Sequence, residues 1–362
     1  MINIVIGTKA QLIKMAPVLL ALRNEGLDYR FISTGQHNET MDDILDNFGL
    51  NGPDYRLYSG SDITSIPAMA NWSLRIIWRT LTSRREIFGD DRNGIVLVHG
   101  DTFSTLLGAL MARLAGLKVG HVESGLRSFN LFNPFPEELI RLLTFQLAHY
   151  YFCPGTWAYS NLSAYSGNKI NTIDNTLADA LGFALTAVDI TDALIPRMPF
   201  GIATLHRFEN IYSKSALLRV VEIVEKISQS FHLLFILHKP TENKLKEFGL
   251  YQRLATLENV ELRQRYDFFH FIKLINAASF VISDGGSNQE ECFYLGKPIL
   301  LLRKATERKE GIGENCVLSS YNHSVIEHFL TNINSYNRTP KVKYCSPSQI
   351  IAESCRQFAV SM

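Results

Sequence analysis

The sequence predicts an α/β protein with two Rossmann-like domains that face each other across a cleft. Short apolar segments alternate with stretches of helical i, i+3/i+4 apolar spacing from the first residue onward. The alternation weakens once, near the middle of the chain, and then resumes. Such alternation is typical of right-handed βαβ units in a parallel sheet, and 362 residues are enough for two domains.

The first half of the chain shows this alternation clearly. Its predicted strands are Asn3–Ile6, Tyr29–Ser33, Gly94–Val98, Val119–Val122 and Tyr151–Cys153. Its predicted helices are Lys14–Asn24, Pro67–Thr80, Ser104–Leu114 and Glu138–Ala148. The less regular stretch Asn175–Pro199, which is closed by two prolines, is interpreted as a linker.

The second half repeats the pattern. Its predicted strands are Gly201–Thr204, Leu233–Leu237, Val260–Leu262, Phe280–Ser283 and Pro298–Leu302, and its predicted helices are Lys214–Ser228, Phe268–Ala277, Gln289–Leu295 and Ser324–Asn332. The final segment, Ser346–Val360, has a helical pattern. We therefore expect an N-terminal domain over residues 1–180, a C-terminal domain over 181–344, and a last helix within 345–362 that packs back on the first domain.

Composition narrows the function classes. A net charge of +1 predicts neither a nucleic-acid partner nor an anionic membrane partner. No apolar run approaches the ~18 residues of a membrane span, and the N-terminus has no basic leader. The cysteines lack C-x-x-C spacing, so no metal site or redox motif is indicated, and we expect reduced thiols in a cytoplasmic protein. They are Cys153, Cys292, Cys316, Cys345 and Cys355.

Three carboxylates follow successive apolar segments. Asp101 ends the run His99-Gly100-Asp101, Glu123 follows His121-Val122, and Glu137 stands behind Pro134 and Pro136. Ionisable groups gathered at strand ends of an α/β protein indicate a cleft for proton chemistry. Simpler interpretations are open: Asp101 as a helix N-cap, Glu123 as a partner of Arg127 or His121, and Glu137 as an ordinary first-turn glutamate.

Two loops have the composition of phosphate-binding turns. The segment Asp284–Glu291 follows a strand and opens a helix, so that Gly285, Gly286 and Ser287 can cradle a nucleotide diphosphate and Glu291 can accept from a ribose. Thr306-Glu307-Arg308 is a second charged loop near the same edge, and Lys9 and Lys14 lie in the loop after the first strand. The simpler interpretation is a βα connection or a solvated basic turn without a ligand.

Together these residues resemble the bacterial UDP-N-acetylglucosamine 2-epimerases, whose fold matches the two-domain glycosyltransferases of type B. The motifs that carry the resemblance are Gly7-Thr8-x-x-x-x-Ile13-Lys14-Met15-Ala16-Pro17, Thr34-Gly35-Gln36-His37, His99-Gly100-Asp101-Thr102, Gly120-His121-Val122-Glu123-Ser124-Gly125-Leu126-Arg127, Pro134-x-Pro136-Glu137-Glu138, His206-Arg207 and the loop 284–291. The glycine loop is shared with glycosyltransferases, whereas the carboxylate motifs are far more specific to the epimerases.

The resemblance implies a reaction, its site and a homodimer. The enzyme removes the sugar C2 proton, expels UDP to give 2-acetamidoglucal, and adds both back, interconverting UDP-GlcNAc and UDP-ManNAc for surface polysaccharide without any metal or redox cofactor. Asp101, Glu123, Glu137 and His206 match catalytic positions, although His206 could instead be a satisfied core histidine. The candidate contacts to the UDP-sugar are Lys9, Lys14, Arg127, Arg207, His238, Gly285, Gly286, Ser287, Glu291 and Arg308.

The chain departs from the family on the nucleotide side. Lys9-Ala10-Gln11 replaces Arg-Pro-Glu, Phe208 replaces the second arginine of Gly-His-Arg-Arg-Glu, and Asp284-Gly285-Gly286-Ser287 replaces Asp-Ser-Gly-Gly. Lysine cannot form arginine's bidentate contact with a diphosphate. We interpret the chain as a divergent member that acts on UDP-GlcNAc or a closely related N-acetylated UDP-sugar.

Three other functions are compatible with the sequence. They are a hydrolysing 2-epimerase that releases ManNAc and UDP, a UDP-sugar-dependent glycosyltransferase of polysaccharide synthesis, and a sugar-nucleotide sensor without turnover. The altered phosphate loops permit the transferase, but the three carboxylates favour the epimerase.

Overall fold

The alternation in the sequence produces two parallel sheets. The computed structural model describes residues 1–37, 41–63, 65–131, 135–187, 194–306, 308–342 and 346–360. Pro134, Glu307 and Cys345, which the sequence analysis singled out, lie outside these described residues. The chain divides into two compact units, Met1–Ala180 with Tyr344–Met362, and Leu181–Lys343.

The strands of the described residues are β1 Ile2–Ile6, β2 Tyr29–Ser33, β3 Tyr55–Arg56, β4 Ile95–His99, β5 Lys118–Val122, β6 Tyr150–Cys153, β7 Asn168–Asn171, β8 Phe200–Thr204, β9 His232–Leu237, β10 Val260–Gln264, β11 Phe280–Ser283, β12 Ile299–Leu301 and β13 Cys316–Leu318. The helices are α1 Lys9–Asn24, α2 Asp42–Phe48, α3 Ile66–Thr82, α4 Arg84–Phe88, α5 Phe103–Leu114, α6 Glu137–Leu147, α7 Gly155–Ser160, α8 Leu177–Ala187, α9 Phe208–Ile211, α10 Lys214–Ser228, α11 Lys239–Glu247, α12 Tyr251–Ala255, α13 Phe268–Ala277, α14 Gly286–Leu295, α15 His323–Thr331 and α16 Pro347–Val360.

Both sheets are parallel and have the strand order of a dinucleotide-binding fold. The first runs β3-β2-β1-β4-β5-β6-β7 and the second β10-β9-β8-β11-β12-β13. In each sheet, the first strands are added in sequence on one side of a central strand, and the later strands are added on its other side. In open α/β sheets, ligands bind outside the carboxyl ends of the strands at this reversal. The fold therefore predicts ligand sites at the ends of β1 and β4 in the first unit and at the ends of β8 and β11 in the second.

The central strands are buried on both faces because helices cover the sheet on each side. Every residue of β1, β4 and β8 is buried, which explains their continuous apolar runs. The last helix, α16, packs against α1. There Arg356 pairs with Glu25, Gln349 donates to the same carboxylate at 2.7 Å, and the ring of Phe358 meets Tyr150 edge-on.

The structure corrects several sequence boundaries. The predicted linker Asn175–Pro199 begins with the helix α8, because Leu177–Ala187 is a run of apolar and small residues that supports helix as well as coil; 188–193 lie outside the described residues. Helix α1 starts at Lys9, before the predicted Lys14, because Thr8 and Gln11 form a capping box. No helix among the described residues is long and apolar enough to cross a membrane.

Candidate active site

The first candidate site lies where β4 and β5 end side by side. His99 is the last residue of β4 and pairs in register with Val122, the last residue of β5. Asp101 follows two residues after His99, and Glu123 follows Val122 directly. Two of the three predicted carboxylates thus leave neighbouring strands at the same edge of the sheet. The tight loops after these strands decide where the carboxylates point.

Glu123 is held in an unusual backbone conformation over that edge. Its φ of 63° lies in the left-handed region, which non-glycine residues seldom adopt. A side chain on Gly100 would begin 3.2 Å from Oε2 of Glu123, so the glycine leaves room for this carboxylate. Strained residues of this kind concentrate at functional sites.

The carboxylate of Glu123 contacts side chains from three other parts of the described chain. Its Oε1 lies 2.6 Å from Nζ of Lys14 and 2.6 Å from Nδ2 of Asn175, and its Oε2 lies 3.4 Å from Nε2 of His99. Lys14, expected from the sequence to bind phosphate, is therefore a partner of Glu123. The alternative that Glu123 merely pairs with Arg127 is wrong, since Arg127 pairs with Glu138.

Two histidines are buried beside Glu123 and stay neutral at neutral pH. Burial lowers the pKa of His99 and of His121 to about 4 in each case, although the negative charge of Glu123 acts in the opposite direction. Nε2 of His121 lies 2.7 Å from the carbonyl oxygen of Gly100, so that nitrogen donates, and Nδ1 accepts from the hydroxyl of Ser124. With both rings neutral, the positive partner of Glu123 is Lys14.

Asp101 is held by a residue that the sequence analysis did not identify. The guanidinium of Arg141 on α6 contacts the carboxylate of Asp101, and it also lies 3.2 Å from Oε2 of Glu138. The alternative in which Asp101 caps α5 is wrong, because the cap is the side chain of Thr102. Arg141 lies one turn after Glu138 on the same helix, and that spacing was the only sequence signal for it.

Glu137 opens α6, as the first-turn alternative proposed, but its surroundings are unusual. Its Oε2 is buried and has no hydrogen-bond partner among the described residues. Its neighbour Glu138 is fully buried and saturated with donors: Arg127, the backbone N–H of Ser128 and Arg141. Burial alone would raise the pKa of Glu138, but these hydrogen bonds lower it below its ordinary value.

The second candidate site lies where β8 and β11 end in the other unit. Asp284 is completely buried and accepts from the backbone N–H groups of His206 and Arg207, each at 3.0 Å, and from the side chain of Asn210 at 2.9 Å. Its role is to shape the loop after β8. Neither Asp284 nor Asn210 was among the predicted site residues.

His206 is an exposed side chain of this loop, so the core-histidine alternative is wrong. Its ring stacks on that of His238 with 4.5 Å between centroids. Partial burial lowers the pKa of His206; Asp284 opposes this shift, while Arg207 and Arg265 add to it. A bound anion would reverse the shift, since negative charge favours the imidazolium.

The glycine loop brings the start of α14 against His206. Gly285 is the N-cap and provides no side-chain cap, so the first-turn N–H groups of α14 lack that partner. A Cβ on Gly285 would lie 3.0 Å from Cε1 of His206. Ser287 in this turn is exposed, whereas Glu291 is buried and accepts from Asn288 at 2.8 Å.

The remaining residues that were predicted to contact the UDP-sugar differ in their partners and burial. Arg308 lies 2.8 Å from the buried carboxylate of Glu290, and Arg127 lies over the ring of Phe129 besides its bond to Glu138. Lys9 is the first residue of α1 and is half-buried. Nowhere in the described part of the chain do three His, Cys, Asp or Glu side chains converge as a metal site.

The chain is similar to known proteins over most of its length. A family model described as UDP-N-acetylglucosamine 2-epimerase matches residues 20–346. A UDP-N-acetylglucosamine 2-epimerase of Neisseria meningitidis serogroup A is 33% identical over 344 residues, which cover 90% of this chain and 89% of that relative.

Solved structures extend the similarity to the whole chain. The crystal structure of UDP-GlcNAc 2-epimerase from Neisseria meningitidis bound to UDP-GlcNAc matches with a TM-score of 0.83 and 28% identity, over 98% of this chain and 99% of that one. Phytolacca americana UGT2, complexed with UDP-2fluoro-glucose and pterostilbene, matches over 99% of both chains with a TM-score of 0.58 and 12% identity, which shows the fold alone. The predicted fold class, two α/β domains like those of type B glycosyltransferases, is confirmed.

Proposed function

This chain belongs to the UDP-N-acetylglucosamine 2-epimerase family, and on that premise we propose that it is an isomerase that interconverts UDP-GlcNAc and UDP-ManNAc. The relatives bear that enzyme's name, and one was solved with UDP-GlcNAc bound. The observation that carries the proposal within this chain is the carboxylate cluster beside the reversal point of the first sheet, where Asp101 and Glu123 leave adjacent strands.

The charges of this cluster suit proton abstraction. Asp101, Glu123 and Glu138 each have a cationic partner: Arg141, Lys14, and the pair Arg127 and Arg141, respectively. Glu137 has no ion-pair partner within the described residues, and one of its oxygens is buried without a hydrogen bond. Glu137 thus has an oxygen open to accept a proton, whereas the other three carboxylates are engaged by cations. We assign Glu137 to proton transfer at C2.

The reaction needs two proton-transfer groups. Removal of the C2 proton and cleavage of the C1–O bond release UDP and leave 2-acetamidoglucal with a C1=C2 double bond. Return of a proton to the opposite face of C2, with attack of a UDP oxygen at C1, gives the epimer. Glu137 and Glu123 are our candidates for the two faces, and Asp101 holds the sugar between them. No metal or redox cofactor enters this scheme.

The nucleotide end is assigned to the second unit. His206, Arg207, His238 and the first turn of α14 at Gly285, Gly286 and Ser287 lie at neighbouring strand ends. They provide one guanidinium, two imidazoles and backbone N–H donors for a diphosphate. Glu291 is kept as the ribose acceptor and Lys9 as a candidate phosphate contact, whereas Lys14 is a weaker candidate because Glu123 already engages it. Arg127 and Arg308 are likewise weaker candidates, because Glu138 and Glu290 already engage them.

The test is turnover of UDP-GlcNAc in D₂O, followed by NMR. We expect UDP-ManNAc to form and deuterium to enter C2 of both sugars. Glu123→Gln and Glu137→Gln should each lower exchange by about 10²–10⁴-fold, the usual contribution of general acid–base groups. Asp101→Asn, which disturbs the position of the sugar, should lower exchange by about 10²-fold, and UDP should still bind to all three variants. Glu86→Gln, a first-turn glutamate of α4, is the matched control. Free ManNAc would identify a hydrolysing enzyme, and wild-type protein without C2 exchange would refute the proposal.

A homodimer is proposed from the first unit's surface. Three neighbouring helices, α3, α5 and α6, carry exposed leucines and a tryptophan that is 68% exposed: Leu74, Trp78, Leu81, Leu114, Leu139 and Leu143. Contiguous exposed apolar side chains on this scale mark interaction surfaces, and a two-fold dimer covers such a face with its own copy. A second copy of this chain is the occupant that the family resemblance supports.

A cytoplasmic location is also proposed. Cys153, Cys292, Cys316 and Cys355 are buried free thiols, which suits a reducing compartment. The proposed product would serve synthesis of N-acetylated surface polysaccharide.

A further inference from the structure

We propose that Arg141 is a positioning residue of the reaction, which holds the carboxylate of Asp101 at the sheet edge where Glu123 also lies. This inference rests on the proposed function, because it assigns a role within the same site. Arg141 lies on α6, one turn after Glu137, and its side chain is only 14% exposed.

The carboxylate of Asp101 depends on Arg141 for its orientation. Among the described residues, Arg141 is its one hydrogen-bond and ion-pair partner. The Asp101 side chain is 30% exposed, so without that contact it would be free to turn toward water. The carboxylates of Glu123 and Glu138 are more buried, at 10% and 0% exposed, and each is held from several sides.

Arg141 is itself fixed at its other end. Its Nη1 donates to Oε2 of Glu138, whose other contacts are the guanidinium of Arg127 and the N–H of Ser128 at 2.9 Å. Glu138 is fully buried, so it cannot follow a moving partner into solvent. Through the successive contacts of Arg127, Glu138, Arg141 and Asp101, a buried helix residue thus fixes the position of a partly exposed carboxylate.

A guanidinium is the group that this geometry requires. Arg141 bridges two carboxylates on different elements with two terminal nitrogens, which a single ammonium group does not reproduce. Burial opposes its charge, but Asp101 and Glu138 more than compensate, so the pKa of Arg141 is raised above its ordinary value. The contact is therefore a permanent one across the working pH range.

The test compares Arg141→Met and Arg141→Lys with the wild-type chain in the C2 exchange assay. For Arg141→Met we expect kcat to fall about 10²-fold, the cost of a catalytic group displaced by about 1 Å, with KM and UDP affinity within about threefold of wild type. Added guanidinium ion should restore part of the lost rate, which a purely structural defect would not allow. The kcat of Arg141→Lys should lie between those of the wild-type chain and Arg141→Met. Arg113→Met on α5, whose guanidinium contacts His149, is the matched control.

A double variant isolates the contact with Asp101. If Arg141 acts through Asp101, adding Arg141→Met to Asp101→Asn costs no more than about threefold beyond Asp101→Asn alone. If the double variant instead loses activity by the product of the two single losses, the proposal is overturned. Unchanged kcat in a folded Arg141→Met enzyme would overturn it as well. Should Arg141→Met fail to fold, Arg141→Lys decides, and full activity there contradicts the proposal. A wild-type enzyme without exchange refutes the proposed function, whereas an active wild type with an unaffected Arg141 variant refutes this inference alone.

Discussion

Single buried polar residues show how strongly this chain depends on satisfied partners. In the first candidate site, each carboxylate oxygen of Glu138 accepts a hydrogen bond. The carboxylate of Glu123 is likewise held in place, by Lys14, Asn175 and His99. Asn3, in the middle of β1, is the opposite case. It is completely buried, and neither Oδ1 nor Nδ2 has a hydrogen-bond partner among the described residues.

Replacing Asn3 should therefore stabilise the first unit. We expect Asn3→Leu, which keeps the branched side-chain skeleton, to raise the free energy of unfolding by about 1–3 kcal/mol, the cost of an unsatisfied buried polar group. Urea unfolding followed by fluorescence measures the change, and exposed Asn51→Leu should stay within about 0.5 kcal/mol of wild type. A loss of stability in Asn3→Leu would contradict this prediction and would mean either that ordered water satisfies the amide or that the larger leucine overpacks the site.

Strands β4 and β5 each carry a histidine that is buried near the carboxyl-terminal end of the strand. His99 and His121 have pKa values near 4 in the folded protein, against an ordinary value of 6.5. Between these pH values the unfolded chain binds protons that the folded chain does not. The stabilisation is complete above pH 6.5 and is lost as the pH falls toward 4.

Acid should weaken the first unit through these strand ends. Each histidine accounts for about 3 kcal/mol of lost unfolding free energy between pH 6.5 and 4, at 1.36 kcal/mol for each pH unit. Urea titrations at several pH values should give a shallower dependence for His121→Asn than for wild type. Exposed His328→Asn on α15 is the control. An identical pH slope in His121→Asn would contradict burial as the cause.

The assembly of the whole molecule depends on the apolar face of α3, α5 and α6. Light scattering should give a mass of twice 40.9 kDa for the wild-type chain. Trp78→Glu places a charge on that face and should give the monomer mass, because an unpaired charge within an apolar contact is costly. Trp157→Glu on α7 should leave the mass unchanged. A wild-type monomer at micromolar concentration would contradict the homodimer.

The elements that sequence periodicity predicted best are those with a long apolar stripe. The helices Lys214–Ser228 and Phe268–Ala277 and the strands Tyr29–Ser33 and Phe280–Ser283 have the predicted bounds. Elements without such a stripe were missed. The helix Lys239–Glu247 is mostly polar, and the strand Tyr55–Arg56 is too short to show alternation.

By itself, the sequence determined the α/β class, the family and the carboxylates at the strand ends, because local periodicity and short motifs encode these features. The tertiary structure decided which groups meet. Lys14 reaches Glu123 across 109 positions of sequence, and Arg141 reaches Asp101 across 40. Such pairs follow from the order of strands in the sheet and from the faces that helices turn toward it. No local pattern contains that order, since it results from packing the whole unit at once.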